Sequence, residues 1–96
     1  MTLMQSRTKR IETTLLAAFA PTLLRVEDDS ARHAGHVGSR PGGETHFNIL
    51  VVSVAFAGLD RIARHRLLHA ALGAELAAGL HAVALTLRTP EEHAQN

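Results

Sequence analysis

Histidine is the residue type in this sequence best able to do chemistry, because the chain has seven histidines and no cysteine. Imidazole can bind a transition metal or transfer a proton near neutral pH. The absence of cysteine excludes a disulfide, a thiolate nucleophile and a thiolate metal ligand within this chain. The histidines are therefore the first candidates for a transition-metal site in this chain.

His65 and His69 are four residues apart on a predicted helix, which is the ligand spacing of one class of zinc protease. That class also needs a glutamate directly after the first histidine as its general base, and Arg66 occupies this position here. A guanidinium cannot accept a proton at physiological pH. The favoured interpretation is that His65 lies on the buried side of the helix and hydrogen-bonds to the backbone, with His69 near the rim.

His33 and His36 lie three residues apart in a glycine-containing segment, and His81 follows Gly79 at the start of a predicted strand. Taken singly, each of these histidines is favoured to be solvated or bonded to a nearby carbonyl. A strand end and a long loop can converge, however. His81 and one loop histidine could then act together, although neither could hold a metal alone.

Other catalytic arrangements have little support in the sequence. No nucleophile elbow surrounds Ser30, Ser39 or Ser53, and Glu44 with His46 makes only a dyad without a nucleophile. Phosphate-binding and dinucleotide-binding glycine motifs are absent as well. The residues therefore give nucleophilic catalysis little support.

The composition suits one globular domain of 96 residues, 46% of them apolar, with a single modest core. We predict that this domain spans residues 1–96, with a flexible lead over 1–9, a long loop over 29–45 and a tail over 93–96. The N-terminus lacks the apolar run of a signal peptide, and no segment reaches the ~20 apolar residues that span a bilayer. A cytoplasmic location without a membrane partner is the default expectation.

The formal net charge of the chain is only +1 with neutral histidines. No strong field would therefore draw the protein onto nucleic acid. Arg61, Arg64 and Arg66 nevertheless give one predicted helix a basic surface that a nucleic-acid-binding role would use. Such a surface is more often simply solvated.

The elements that must position these residues follow from hydrophobic periodicity. The longest helix begins after Asp60, a predicted N-cap, and Gly73 is its weak point because glycine costs about 1 kcal/mol relative to alanine inside a helix. Its predicted buried stripe consists of Ile62, His65, Leu68, Leu72 and Leu76. In chain order, the patterns predict a helix over 11–20, strands over 23–28 and 47–53, a helix over 61–77, a strand over 82–87 and a short helix after a capping box of Thr89 and Glu92.

Together these elements predict an α+β fold. The strand over 47–53 is apolar on both faces, as is typical of a central strand, whereas the strand over 23–28 alternates as an edge strand does. A strand, a helix and a strand within this length imply that 47–53 and 82–87 are parallel, with a right-handed crossover. The predicted fold class is a three-stranded mixed sheet with helices packed on one face.

Several short motifs along the chain are similar to those of one known family. In order they are Gly43-Glu44-Thr45-His46-Phe47, Val52-Ser53, Phe56-Ala57-Gly58, Arg64-His65-Arg66, Glu75-Leu76, His81-Ala82 and Thr89-Pro90. In content and spacing they resemble the BolA family, from Ile11 to Glu92. The resemblance implies a fold similar to the class II KH fold without its GxxG loop, in agreement with the predicted element order.

The resemblance also implies a function. BolA-like proteins are non-enzymatic partners of monothiol glutaredoxins, with which they share a bridging two-iron two-sulfur cluster, and they take part in iron homeostasis and cluster trafficking. The family's ligands are a histidine before the last strand, which matches His81, and a histidine or cysteine in the long loop. The loop ligand matches His33, with His36 as the alternative. The resemblance further implies a monomer alone and no cofactor in the isolated protein.

Iron–sulfur clusters are usually held by thiolates, so the sulfur ligands would have to come from the glutaredoxin and its glutathione. Two alternatives stay open. The first is a DNA-binding transcriptional regulator that uses the KH-like fold with Arg61, Arg64 and Arg66; Asn48 weakens it, because the family often has a basic residue there. The second is a structural adaptor whose histidines bind nothing.

Overall fold

The computed structural model describes residues 6–29 and 46–95. A short 3-10 turn at Val54–Phe56 connects the second strand to the second helix. The elements in chain order are α1 (Arg7–Phe19), β1 (Leu23–Asp28), β2 (His46–Val52), α2 (Arg61–Ala71), α3 (Gly73–Ala77), β3 (Ala82–Arg88) and α4 (Pro90–Ala94).

The sheet has the order β1-β2-β3, with β2 in the centre. β2 runs antiparallel to β1 and parallel to β3, and the register pairs Val51 with both Leu24 and Leu87. This confirms the predicted three-stranded mixed sheet, the central position of the second strand and the edge position of the first.

The hydrophobic core is formed by the helices and one face of the sheet. Leu24 and Val26 pack against this core, whereas Arg25 and Glu27 point to the opposite, solvent-exposed face, as the alternation in the sequence predicts. The buried members of the core are Ile11, Leu15, Phe19, Phe47, Ile49, Val51, Phe56, Leu68, Leu72, Leu80 and Leu87.

The helix predicted over 61–77 is divided into two helices, which corrects the sequence prediction. The predicted N-cap is confirmed, since the Asp60 carboxylate accepts the Ala63 amide at 2.8 Å, but α2 ends at Ala71 and α3 begins at Gly73. The break thus falls at Leu72, directly before the glycine that disfavours helix. Leu72, at the junction, is buried in the core.

The predicted buried stripe of this helix is also wrong in its first turn. Ile62 is 63% exposed, and His65 is only half-buried. The inward position of this turn is instead occupied by Arg64, whose side chain is 13% exposed. Helix positions two residues apart point about 200° apart, so an inward Arg64 directs Ile62 to solvent. The stripe therefore runs from Arg64 through Leu68 to Leu72.

The structure also corrects the predicted lead and tail. α1 begins at Arg7, where the Ser6 side chain caps it by accepting the Lys9 amide at 3.1 Å, so the lead predicted over 1–9 is helical from residue 7. α4 extends to Ala94, so part of the tail predicted over 93–96 is helical as well. The capping box predicted at Thr89 is confirmed.

Arg64 connects α2 to both β3 and α4. Its Nη1 donates to Glu92 Oε1 at 2.6 Å and to the Leu87 carbonyl at 3.2 Å, while its Nε donates to the Leu59 carbonyl at 2.9 Å. The guanidinium carbon also lies 5.9 Å from the centroid of the Phe56 ring. The side chain therefore joins three elements at the C-terminal end of the parallel strands.

Acid is expected to weaken this connection. The hydrogen bond from Arg64, followed by that from the Thr89 amide, lowers the pKa of Glu92 from 4.5 to about 2. Because the pKa is lower in the folded state, the stabilisation is present above pH 4.5 and is lost as the pH falls towards 2. We expect urea denaturation to show a stability difference between wild type and Glu92→Gln that shrinks over this window. A pH-independent difference would contradict the assignment.

Candidate metal centre

His81 lies at the edge of the sheet where β2 and β3 begin. It is exposed and directly precedes β3. Because β2 and β3 are parallel and His46 pairs with Ala82, the rings of His46 and His81 are neighbours, with centroids 5.0 Å apart and planes inclined by 54°. We call these two residues the histidine edge. His46 is half-buried, so His81 is the more accessible of the two imidazoles.

The backbone on both sides of His81 is well anchored. On one side Leu80 is buried in the core, and its amide donates to the Glu75 carbonyl at 3.0 Å. On the other side the chain enters the hydrogen-bonded ladder of β3. Gly79 has a φ of 115°, which side-chain-bearing residues rarely adopt, and this allows the tight turn from α3 into the strand. His81 is therefore an exposed ligand candidate on a rigid support.

The predicted loop ligands, His33 and His36, lie outside the described residues. The described residues on either side of 30–45 are hydrogen-bonded to each other: the Asp29 amide donates to the His46 carbonyl at 2.7 Å. The connection over 30–45 thus begins and ends beside the histidine edge. The two described residues that bound this segment are therefore at the same end of the sheet as His81.

The described residues offer few metal donors at this edge. Within 6–29 and 46–95, no group of three or more histidine, aspartate or glutamate side chains could enclose a metal ion. The chain also has no thiolate to offer. Single imidazoles at an exposed edge can complete a coordination shell whose other ligands belong to a partner.

The second predicted histidine pair, His65 and His69, is arranged differently from the sequence interpretation. The Nδ1 of His69, rather than a ring nitrogen of His65, bonds to the backbone, at 2.9 Å from the His65 carbonyl. The ring centroids are 6.5 Å apart, and the pair lines an open hollow with Arg61 and Arg66. Two nearby cations disfavour a metal ion at this place.

The predicted basic face of α2 is smaller than the sequence indicates. Arg61 and Arg66 are exposed, but Arg64 is largely buried and bonded within the domain. The hydrogen bond to Glu92 raises the pKa of Arg64, and its guanidinium charge is engaged in this contact within the domain. Nucleic acid would meet two arginines of this face rather than three.

Sequence reasoning missed the place of His46, which was considered only as a partner of Glu44. The available signal was the register of two parallel strands: His46 begins β2, and His81 directly precedes β3. Parallel neighbours that begin together bring their first residues to one edge. A register argument could thus have found the histidine edge.

The described helices include none that is both long and apolar enough to cross a membrane. The fold and the histidine edge define a small α+β protein with a mixed sheet and an exposed imidazole directly before its third strand. The chain belongs to the BolA family, since the family model described as BolA-like protein matches residues 15–92.

Individual relatives agree with this assignment. "BolA-like protein 1" of Pongo abelii is 45% identical over 86 residues, which are 90% of this chain and 60% of that protein. A protein of Sinorhizobium sp described as "Uncharacterized protein in cobS 5'region" is 46% identical over 88 residues, covering 91% and 95% of the two chains. The solved structure of BolA1 from Arabidopsis thaliana matches with a TM-score of 0.83 and 39% identity, covering 94% of this chain and 98% of that one. This chain thus spans less than two thirds of the length of some curated relatives.

Proposed function

We propose that this protein is a non-enzymatic partner of a monothiol glutaredoxin and shares a bridging two-iron two-sulfur cluster with it, in cluster trafficking or iron homeostasis. The observation that carries the proposal is the exposed His81, which lies between the buried Leu80 and the start of β3, at the edge where Asp29 and His46 are hydrogen-bonded. Membership of the BolA family supports the same class of role.

In this proposal the chain supplies imidazoles and the partner supplies sulfur. His81 is the fixed ligand, and His33 is the loop ligand, with His36 as its alternative. Glutaredoxin and glutathione contribute the thiolates that this chain lacks. Replacement of thiolate by imidazole on iron raises the reduction potential of such a cluster, so the shared form would differ electronically from an all-thiolate one.

The reach of the loop is compatible with this pairing. His33 is four residues beyond Asp29, and an extended chain covers about 3.5 Å per residue, so His33 can lie up to ~14 Å from that anchor. Asp29 is bonded to His46, whose ring is next to that of His81. His33 is therefore close enough along the chain to reach the histidine edge, so it and His81 can serve as a pair of ligands.

The test is a titration of cluster-loaded monothiol glutaredoxin with this protein, followed by visible circular dichroism and by size-exclusion chromatography. We expect an equimolar amount to change the spectrum and to produce a species with the mass of a heterodimer. Apo-glutaredoxin provides the control and should bind more weakly. A spectrum that equals the sum of the separate components would overturn the proposal, and equal binding of apo-glutaredoxin would favour a structural adaptor instead.

A further inference from the structure

Two arginines of α1 bind one carboxylate of α3. Arg7 Nε donates to Glu75 Oε1 at 3.0 Å, and Arg10 donates through Nε to Oε2 at 2.7 Å and through Nη2 to Oε1 at 3.0 Å. The side chains of Arg7 and Glu75 are only 13% and 12% exposed. We call this group of three residues the arginine clasp. It joins parts of the chain that are more than sixty residues apart in sequence.

The clasp also includes the turn that leads to His81. Arg7 Nη2 donates to the Ala78 carbonyl at 2.9 Å, so one guanidinium bonds both to the α3 side chain and to the turn backbone. The Leu80 amide in turn donates to the Glu75 carbonyl. Glu75 thus binds both arginines through its carboxylate and binds Leu80, the residue before His81, through its backbone carbonyl.

The clasp rests on a firmly packed helix. Ile11 and Leu15, on the following turns of α1, are completely buried in the core. The arginines therefore extend from a fixed support rather than from a free end. α3 is a short helix that buries none of its residues fully, although Leu76 packs against the core. The clasp adds polar contacts from α1 to this packing.

Electrostatics favours the charged form of the clasp. The hydrogen bond from Arg10 lowers the pKa of Glu75 most, burial opposes this, and Arg7 lowers it further. The net direction is downward, so Glu75 is ionised near neutral pH. A carboxylate between two guanidinium groups makes stronger hydrogen bonds than a neutral amide would.

We infer that the arginine clasp positions His81: Arg7, Arg10 and Glu75 hold α3 and its exit turn against α1 and so fix the point from which His81 projects. These are positioning residues that act through the backbone of Ala78 to Leu80. The consequence for cluster binding rests on the proposed function, but the positioning itself can be measured in the isolated protein.

The test compares Glu75→Gln with Glu92→Gln. Both variants neutralise a carboxylate paired with arginine, but Glu75 is near His81, whereas Glu92 binds Arg64 beside Leu87, near the other end of β3. We expect hydrogen exchange of the amides over 78–82 to become about tenfold faster in Glu75→Gln and to remain at the wild-type rate in Glu92→Gln. Arg7→Lys keeps the positive charge, but a lysine ammonium cannot bond Glu75 and the Ala78 carbonyl together as the guanidinium does. This variant should give an exchange rate between those of wild type and Glu75→Gln.

A second readout uses the complex with cluster-loaded glutaredoxin. Glu75→Gln should alter the visible circular dichroism of the mixture, while Glu92→Gln should not. Equal acceleration over 78–82 in both variants, or a lower melting temperature of Glu75→Gln without local acceleration, would overturn the positioning role. If exchange responds as expected but the wild-type chain leaves the glutaredoxin spectrum unchanged, the clasp is supported and only the proposed function fails.

Discussion

Replacement of His81 by alanine is expected to remove the change that this protein causes in the visible circular dichroism of cluster-loaded glutaredoxin. His81 is the exposed imidazole of the histidine edge, and alanine has no atom that could bind iron. Loss even of groups that only orient a ligand typically costs 10–100-fold in metal affinity, so loss of the ligand should weaken cluster-dependent binding by at least about 100-fold. Titration with spectroscopic detection measures this directly.

The matched control is His69→Ala, which removes another exposed histidine that lies on α2. It should leave the spectrum of the mixture as in wild type. His33→Ala and His36→Ala, measured in parallel, identify the loop ligand by which of them weakens the signal. A wild-type spectrum from His81→Ala would remove His81 from the proposed ligand set.

Replacement of Phe56 by alanine is expected to have the largest effect on stability. Phe56 is completely buried, its ring centroid is 5.2 Å from that of Phe19, and the Arg64 guanidinium lies over it. Truncation of a buried phenylalanine costs about 3–5 kcal/mol, whereas a domain of this size is stable by about 5–15 kcal/mol. We therefore expect urea denaturation to show the loss of a large share of the free energy of unfolding.

Val54→Ala is the control for this measurement. Val54 lies in the same 3-10 turn but is 70% exposed. Its truncation should change the free energy of unfolding by no more than about 0.5 kcal/mol. Equal losses in the two variants would mean that the turn itself, rather than the burial of Phe56, determines the stability.

The secondary structure was predicted well where short-range signals agree. β2 is a short, mostly apolar run, and the Asp60 and Thr89 side chains both accept hydrogen bonds from the amides that their spacing predicts. Such signals lie within one turn of helix or one strand, so they can be read locally. The break at Gly73 was visible as a weakness, but whether the helix continues there depends on how Leu72 packs in the core.

The place of His81 in the fold was predicted for the same reason, whereas its role as a ligand stays a prediction. Its position directly before β3 follows from local pattern, and Leu80 beside it is buried in the core. The neighbouring ring of His46 depends on the register between two strands far apart in sequence. No local sequence pattern indicates that the rings of His46 and His81 are neighbours.

The sequence by itself determined the element order, the mixed sheet, the helix caps and the family, because periodicity, capping and motif spacing are properties of neighbouring residues. Tertiary structure alone decided which way the first turn of α2 faces and which charges are paired. Arg64 points inward because Glu92 and the Leu87 carbonyl are there to accept its hydrogen bonds. Arg7 and Glu75 are hydrogen-bonded although they are 68 residues apart in sequence. Such a pair can be identified only when the packing of the two segments is known.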